Sequence, residues 1–382
     1  MKVPFYNDII WTDRMWTEGN KGWFVLAARN ALFELDLETN VCRLLTILPD
    51  FDFRNWRNNP TCIKYKNHIL CMPDHGKNIW DYNMETGDVD PIHILQDATK
   101  EARIAWYGIV KDIMYAVSIS WNQVIVIDLQ KREVIERVSI ADENVVFGQS
   151  ILVENSIYAV SQSNPNIYEY NIDEKCVIVH NLNNINSNLF TIAYDGINFW
   201  LSGTCKELYV WNKSTNVVEV IREFPDDFGK YLFEKNDKDI LDCQSFDLGE
   251  RIFSYSINSK RYMWFVPYKT NKILYVNKEN YQVSVLETEE EIETKETLSS
   301  RICYDKFFMQ YIAEGKLLNL YSTKNKNLIE IDMDECTWSY KNVEIDLKKS
   351  MCGGKNNKDI IKNTIFSETE KIFFWSMFFG EK

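Results

Sequence analysis

The ten residues Ala31-Leu-Phe-Glu-Leu-Asp-Leu-Glu-Thr-Asn40 decide the reading of this chain, because their pattern returns six more times. The later copies are Asn78-Ile-Trp-Asp-Tyr-Asn-Met-Glu-Thr-Gly87, Gln123-Val-Ile-Val-Ile-Asp-Leu-Gln-Lys-Arg132 and Asn166-Ile-Tyr-Glu-Tyr-Asn-Ile-Asp-Glu-Lys175. Then follow Glu207-Leu-Tyr-Val-Trp-Asn-Lys-Ser-Thr-Asn216, Lys272-Ile-Leu-Tyr-Val-Asn-Lys-Glu-Asn-Tyr281 and Asn327-Leu-Ile-Glu-Ile-Asp-Met-Asp-Glu-Cys336. Every copy has an apolar second position and Asp or Asn at its sixth: Asp36, Asn83, Asp128, Asn171, Asn212, Asn277 and Asp332. A β-forming run that ends on such a residue reads as a strand feeding a turn, since the side chain can accept the backbone N–H two residues on. The sixth positions are 47, 45, 43, 41, 65 and 55 residues apart. A period of roughly 40 to 50 residues is that of propeller blades, each a four-stranded sheet.

Each unit extends backwards. Residues 190–203 read as strand, Asp-Gly turn, strand, and residues 104–118 and 150–161 have the same shape. The repeated motif is then the third of four strands, counted from the axis outwards, with third strands at 31–36, 78–83, 123–128, 166–171, 207–212, 272–277 and 327–332. The two long spacings hold insertions near 226–242 and 288–297, the second with five Glu within 289–296. Residues 348–362 read as a loop, and 364–379 as a hairpin with no outer strands of its own. Because an open sheet edge recruits other chains, this hairpin is expected to pair with N-terminal strands, so that both ends of the chain share one blade and close a single domain over 1–382.

With seven such units, the chain resembles a seven-bladed β-propeller, all-β with antiparallel blades, similar in spacing to the Kelch and WD-repeat families. The resemblance is architectural. The paired glycines of Kelch blades and the Gly-His…Trp-Asp signature of WD repeats are absent, so no functional residue carries over from either family.

Composition narrows the function. The 382 residues carry 43 basic and 56 acidic side chains, a net charge of -13, with 45% hydrophobic and 14% aromatic residues. That is too apolar for disorder, and the acidic balance argues against general nucleic-acid binding. No apolar run approaches the roughly 18 residues of a membrane span. The opening Met1 to Asp8 shows no apolar leader core. Nine scattered cysteines without a CxxC pair suit a reducing compartment. A cytoplasmic monomer is expected. The four histidines, His68, His75, His93 and His180, come from two blades only, and no phosphate loop or zinc spacing is present, so no metal, cofactor or catalytic residue is assigned. Trp23, Trp200, Trp264 and Trp375 occupy similar second-strand places and are expected between blades, whereas Trp56, Trp106 and Trp121 fall at predicted loops and are expected to be exposed.

In a propeller, the loops from second to third strand and from blade to blade emerge on one face. Here those segments carry Arg29, Arg54, Arg57, His75, Lys77, Arg103, Lys206, Lys269, Lys272, Arg301, Lys324 and Lys326, against Asp50, Asp52, Asp74, Glu101 and Glu207. The opposite turns are mainly acidic. A concentrated basic face attracts anions, and Arg beside Trp offers both a carboxylate or phosphate fork and a stacking surface. The expected ligand-binding set is Arg54, Trp56, Arg57, His75, Arg103, Trp106, Tyr268, Lys269 and Arg301. The function this implies is a non-catalytic module that binds an acidic protein, peptide or anionic small molecule. The alternative is a propeller lyase, hydrolase or epimerase acting on an anionic sugar or modified peptide. A carboxylate pair or His–carboxylate pair at the channel mouth would favour hydrolysis; a mouth of Arg, Lys, Asn and aromatics would favour binding.

Overall fold

The computed structural model describes residues 2–4, 14–26, 30–49, 59–95, 101–182, 184, 185, 187–229, 251–268, 270, 272–288, 307–313, 315–322 and 327–346. Among them no element is a helix. Seven sheets of at least four antiparallel strands follow one another along the chain. Their third strands are Ala31–Asp36, Asn78–Asn83, Gln123–Asp128, Asn166–Asn171, Leu208–Asn212, Ile273–Asn277 and Leu328–Asp332. These are blades 1 to 7 of a β-propeller.

One turn is used seven times. The Asx at the end of each third strand accepts backbone N–H groups from the turn that follows: Asp36 from Glu38 and Thr39, Asn83 from Glu85 and Thr86, Asp128 from Gln130 and Lys131. Asn171 accepts from Glu174, Asn212 from Thr215, Asn277 from Glu279, and Asp332 from Asp334 and Glu335. Four residues after each Asx the backbone turns left-handed, at Asn40, Gly87, Arg132, Lys175, Asn216, Tyr281 and Cys336, with φ between 53° and 80°. Only one of the seven is glycine, although an L side chain there costs about 1 to 2 kcal/mol. Three of the others hold the preceding blade. Arg132 forms ion pairs with Asp81 and Asp90, Lys175 pairs with Glu136 at 2.7 Å, and the Tyr281 ring meets Trp200 edge-on at 5.6 Å.

The core is divided among the seven seams, each with its own apolar cluster between adjoining blades. Trp23, Trp200 and Trp264 lie in these clusters, buried as their shared second-strand position requires. Trp264 donates its indole N–H to the Met333 carbonyl across the seam between blades 6 and 7, at 3.1 Å. Near the axis the backbones approach closely. A Cβ on Gly148, in the inner strand of blade 4, would stand 2.6 Å from the Phe190 carbonyl oxygen of blade 5.

The ring is secured at the perimeter of blade 1. Its own strands, Trp16–Glu18, Lys21–Leu26, Ala31–Asp36 and Val41–Ile47, are contiguous in sequence. Outside them lies Glu344–Asp346, parallel to Val41–Ile47, and outside that Lys2–Pro4, antiparallel. Strands from both parts of the chain thus share one blade, on its outer edge. The expected closing hairpin, 364–379, lies outside the described residues, as does Trp375.

Candidate functional site

The face formed by the second-to-third-strand loops and the blade-to-blade connections is called the upper face here. At the seam between blades 2 and 3, two of its segments are zipped together. Ala102 N donates to Gly76 O at 2.9 Å and Ile104 N to Pro73 O at 3.0 Å. Arg103 N donates to Ser120 Oγ, which in turn donates to Glu101 O. This pairing brings acids and bases into register. His75 Nδ1 stands 3.0 Å from Glu101 Oε2, and Arg103 Nε 3.2 Å from Asp74 Oδ1. Asp74 is buried, so the Arg103 charge is committed to it. Elsewhere on this face Lys272 pairs with Asp227 at 2.7 Å and Arg222 with Glu207 at 2.8 Å. Among the described bases read from the sequence on this face, His75, Arg103 and Lys272 thus each face a carboxylate from another segment.

Two of the expected ligand contacts, Trp106 and Tyr268, are buried. Trp106 is buried, which corrects the expectation of an exposed indole. It sits on the inner strand Ile104–Val110 in the core between blades 3 and 4, and its ring lies where a Cβ on Gly108 would come within 2.7 Å. A register shift between Ile104 and Trp106 turns the side chain into the seam. Trp121, also expected in solvent, is half-buried against the core between blades 2 and 3, with the Arg137 guanidinium 5.6 Å above its ring. Tyr268 is buried beneath Arg251, whose guanidinium lies 4.5 Å over the ring and donates to the carbonyls of Phe253 and Ser254. Arg54, Trp56, Arg57, Lys269 and Arg301 lie outside the described residues.

A residue not singled out from the sequence occupies the upper end of the axis. Arg14 precedes the inner strand of blade 1, yet its guanidinium lies 4.7 Å over the ring of Tyr255, on the inner strand of blade 6. Those blades are not neighbours in the ring, so the contact spans the axial opening. Tyr107, from the inner strand of blade 3, is close enough for the Arg14 charge to act on it. Burial drives its phenol pKa up, and Arg14 opposes that rise. Tyr107 donates to the Cys62 carbonyl at 3.1 Å, and burial likewise pushes the Cys62 thiol up, to about 12. One step deeper, Gln149 of blade 4 binds blades 5 and 6 at once. Its Oε1 accepts from Ile192 N and Ser256 N, at 3.2 and 3.1 Å, and its Nε2 donates to Ser256 O. No repeat signal marked Arg14, since it lies just before a strand of three residues.

The chemistry available around the axis is limited. The inner strands are Trp16–Glu18, Thr61–Tyr65, Ile104–Val110, Phe147–Val153, Leu189–Tyr194, Phe253–Asn258 and Phe307–Ala313. Together they hold one carboxylate, Glu18, one cation, Lys64, and no histidine. Glu18 and Lys64 form an ion pair with each other. Among the described residues no group of three His, Cys, Asp or Glu side chains could hold a metal ion, and no helix is long and apolar enough to cross a membrane.

No family model matches the chain, and no curated protein matches it. Solved structures are similar in fold. Virginiamycin B lyase from Staphylococcus aureus aligns with a TM-score of 0.61 at 9% identity, over 85% of this chain and 95% of that one. A chain of a mitotic checkpoint complex aligns with a TM-score of 0.57 at 9% identity, over 86% and 89%. BamB from Moraxella catarrhalis aligns with a TM-score of 0.51 at 10% identity, over 82% of each chain. The likeness is to β-propeller proteins, and at these identities it extends to the fold alone.

Proposed function

We propose that this propeller is a non-catalytic binding module, and that it receives an anionic group of an acidic protein, peptide or small molecule at the upper mouth of its axis. The observation that carries this reading is the composition of the inner strands. Acid–base chemistry in a propeller needs carboxylates or histidines converging on one point, and the described inner strands offer a single carboxylate that Lys64 already neutralises. What the axis offers instead is a guanidinium on an aromatic platform, Arg14 over Tyr255 of the blade 6 inner strand. A guanidinium stacked on an aromatic ring is a recurrent partner of carboxylate and phosphate groups.

The test is a thermal-shift screen of the intact protein with a poly-glutamate peptide, ATP, citrate and glucuronate, each followed by product analysis. A ligand at 100 times its Kd should add about 2.7 kcal/mol of stability. Stabilisation without turnover, lost in Arg14→Ala, supports the reading. Turnover of any probe, or stabilisation indifferent to Arg14→Ala, overturns it.

A further inference from the structure

On the opposite face, away from the axis, a cleft of about 550 Å³ opens between blades 2 and 3. Its walls are the turn at Lys66 and Asn67, the turn at Asn83 to Glu85, and the blade 3 turn that includes Gln130 and Arg132. The floor is apolar: Leu70, Ile92 and Leu129, all buried. An apolar floor with a few convergent polar groups, in a volume of this order, is the general form of a small-molecule site.

The polar groups are fixed in place and only half used. His68 Nδ1 stands 2.8 Å from Asp81 Oδ1, and Asp81 is itself buried and paired with Arg132. A carboxylate at Nδ1 holds the proton there and leaves Nε2 as an acceptor. Asn67 Nδ2 donates to Glu85 Oε1 at 2.6 Å, and Gln130 Nε2 donates to Asp112 Oδ2 at 2.7 Å. His68 Nε2, Asn67 Oδ1, Glu85 Oε2 and Gln130 Oε1 have no protein partner among the described residues. The lining cations are already met by carboxylates, Lys66 by Asp112 and Arg132 by Asp81 and Asp90. The cleft therefore offers no uncommitted cation to an anion, while planar acceptors braced from behind suit ligand hydroxyl groups.

We propose that this cleft binds a neutral, hydroxyl-rich ligand, an uncharged mono- or disaccharide, independently of the axial site on the other face. His68 Nε2 and Glu85 Oε2 accept from sugar hydroxyls, Asn67 and Gln130 supply further acceptors, and the apolar face of the pyranose lies on Leu70 and Ile92.

The experiment is a titration of the intact protein, followed by ligand-observed NMR, with maltose, cellobiose, lactose and N-acetylglucosamine, and with glucuronate as the anionic comparator. The expected result is saturable binding of at least one neutral sugar, with a Kd on the order of 1 mM, and weaker binding of glucuronate. Glu85→Ala, an exposed turn substitution, and His68→Gln should each weaken that binding about tenfold, which is one decade in Kd. Arg14→Ala should leave it unchanged. The proposal is overturned if no neutral sugar binds, if glucuronate binds as tightly, or if Glu85→Ala has no effect. The last variant decides the matter alone if His68→Gln does not fold.

Discussion

Lys213 Nζ donates to Glu169 Oε1 at 2.7 Å, across the seam between blade 5 and blade 4. The same carboxylate accepts from Tyr158 Oη at 2.8 Å, and its Oε2 lies 2.7 Å from His180 Nε2. Glu169 is buried, at the fourth position of its third strand. Glu34, Asp81 and Glu330 hold the corresponding place in blades 1, 2 and 7, and each has basic partners. A carboxylate set into the strand and a cation reaching over it is thus a recurrent fastening.

That fastening predicts a pH dependence. Burial raises the Glu169 pKa, but hydrogen bonds from Lys213, His180 and Tyr158 outweigh it and hold the group at about 2, below its ordinary 4.5. A depressed carboxylate contributes stability that is fully present above its unfolded pKa and lost as pH falls through the folded one. By linkage the difference corresponds to about 3 kcal/mol, which solvent screening reduces to about 2 kcal/mol. In urea titrations from pH 6 down to pH 2, the stability gap between wild type and Glu169→Gln should therefore shrink over the interval from about 4.5 to about 2. A gap that stays constant would show that the carboxylate charge contributes nothing.

The left-handed turn residues give a second expectation. Lys175 has φ 53° and is exposed, its ion pair to Glu136 being a surface one. Surface pairs contribute about 0 to 1 kcal/mol. Lys175→Gly should be more stable than Lys175→Ala by about 0.5 to 1 kcal/mol, the reverse of the usual order, because only Gly relieves the backbone. Tyr281→Gly should destabilise instead, since it also removes the ring packed on buried Trp200. Equilibrium denaturation of the three variants checks both signs.

Gly148→Ala should be disproportionately costly. The added methyl group meets the Phe190 carbonyl oxygen, a backbone atom that cannot rotate away. The inner strands of blades 4 and 5 would have to separate, and Gln149, the next residue, would lose register with Ile192 N. A loss of about 1 to 3 kcal/mol is expected, read as a lower melting temperature. An unchanged melting temperature would mean the strands there are not in contact.

Arg103 and Arg14 should behave differently in anion binding. Arg103 is bound to buried Asp74, so Arg103→Ala should lower stability by removing a charged partner of that carboxylate while leaving affinity for a bound anion unchanged. Arg14→Ala should lower that affinity about tenfold, roughly 1.4 kcal/mol. Titration calorimetry on the two variants with one anion separates them.

The repeat was legible because one turn with a strict chemical requirement occurs in every blade: an Asx whose side chain must accept its own turn's N–H groups. Buried Trp200 and Trp264 were legible for a related reason, since equivalent positions in successive blades meet the same seam. The candidate site was less so. Counting charge along a loop registers Arg103 but not that Asp74, on a different loop, lies 3.2 Å away. Trp106 was misplaced because a register shift at the start of its strand moves the side chain into the seam. Arg14 was overlooked because a contact between blades 1 and 6 is set by ring closure, and no local pattern encodes it.

Because the strands of blade 1 are contiguous between Trp16 and Ile47, and Glu344–Asp346 only adds to its rim, no blade waits for a distant partner to complete its four strands. During synthesis each sheet can therefore form from residues made within the preceding few seconds, at the usual rate of about 5 to 20 residues per second. Among the described strands, the pairings that join segments made far apart in time are those of the rim of blade 1, and the last seam to close is that between blades 7 and 1. Assembly is a series of local hairpins followed by one late act of circularisation, and the exposed flank of blade 1 must remain soluble until blade 7 arrives.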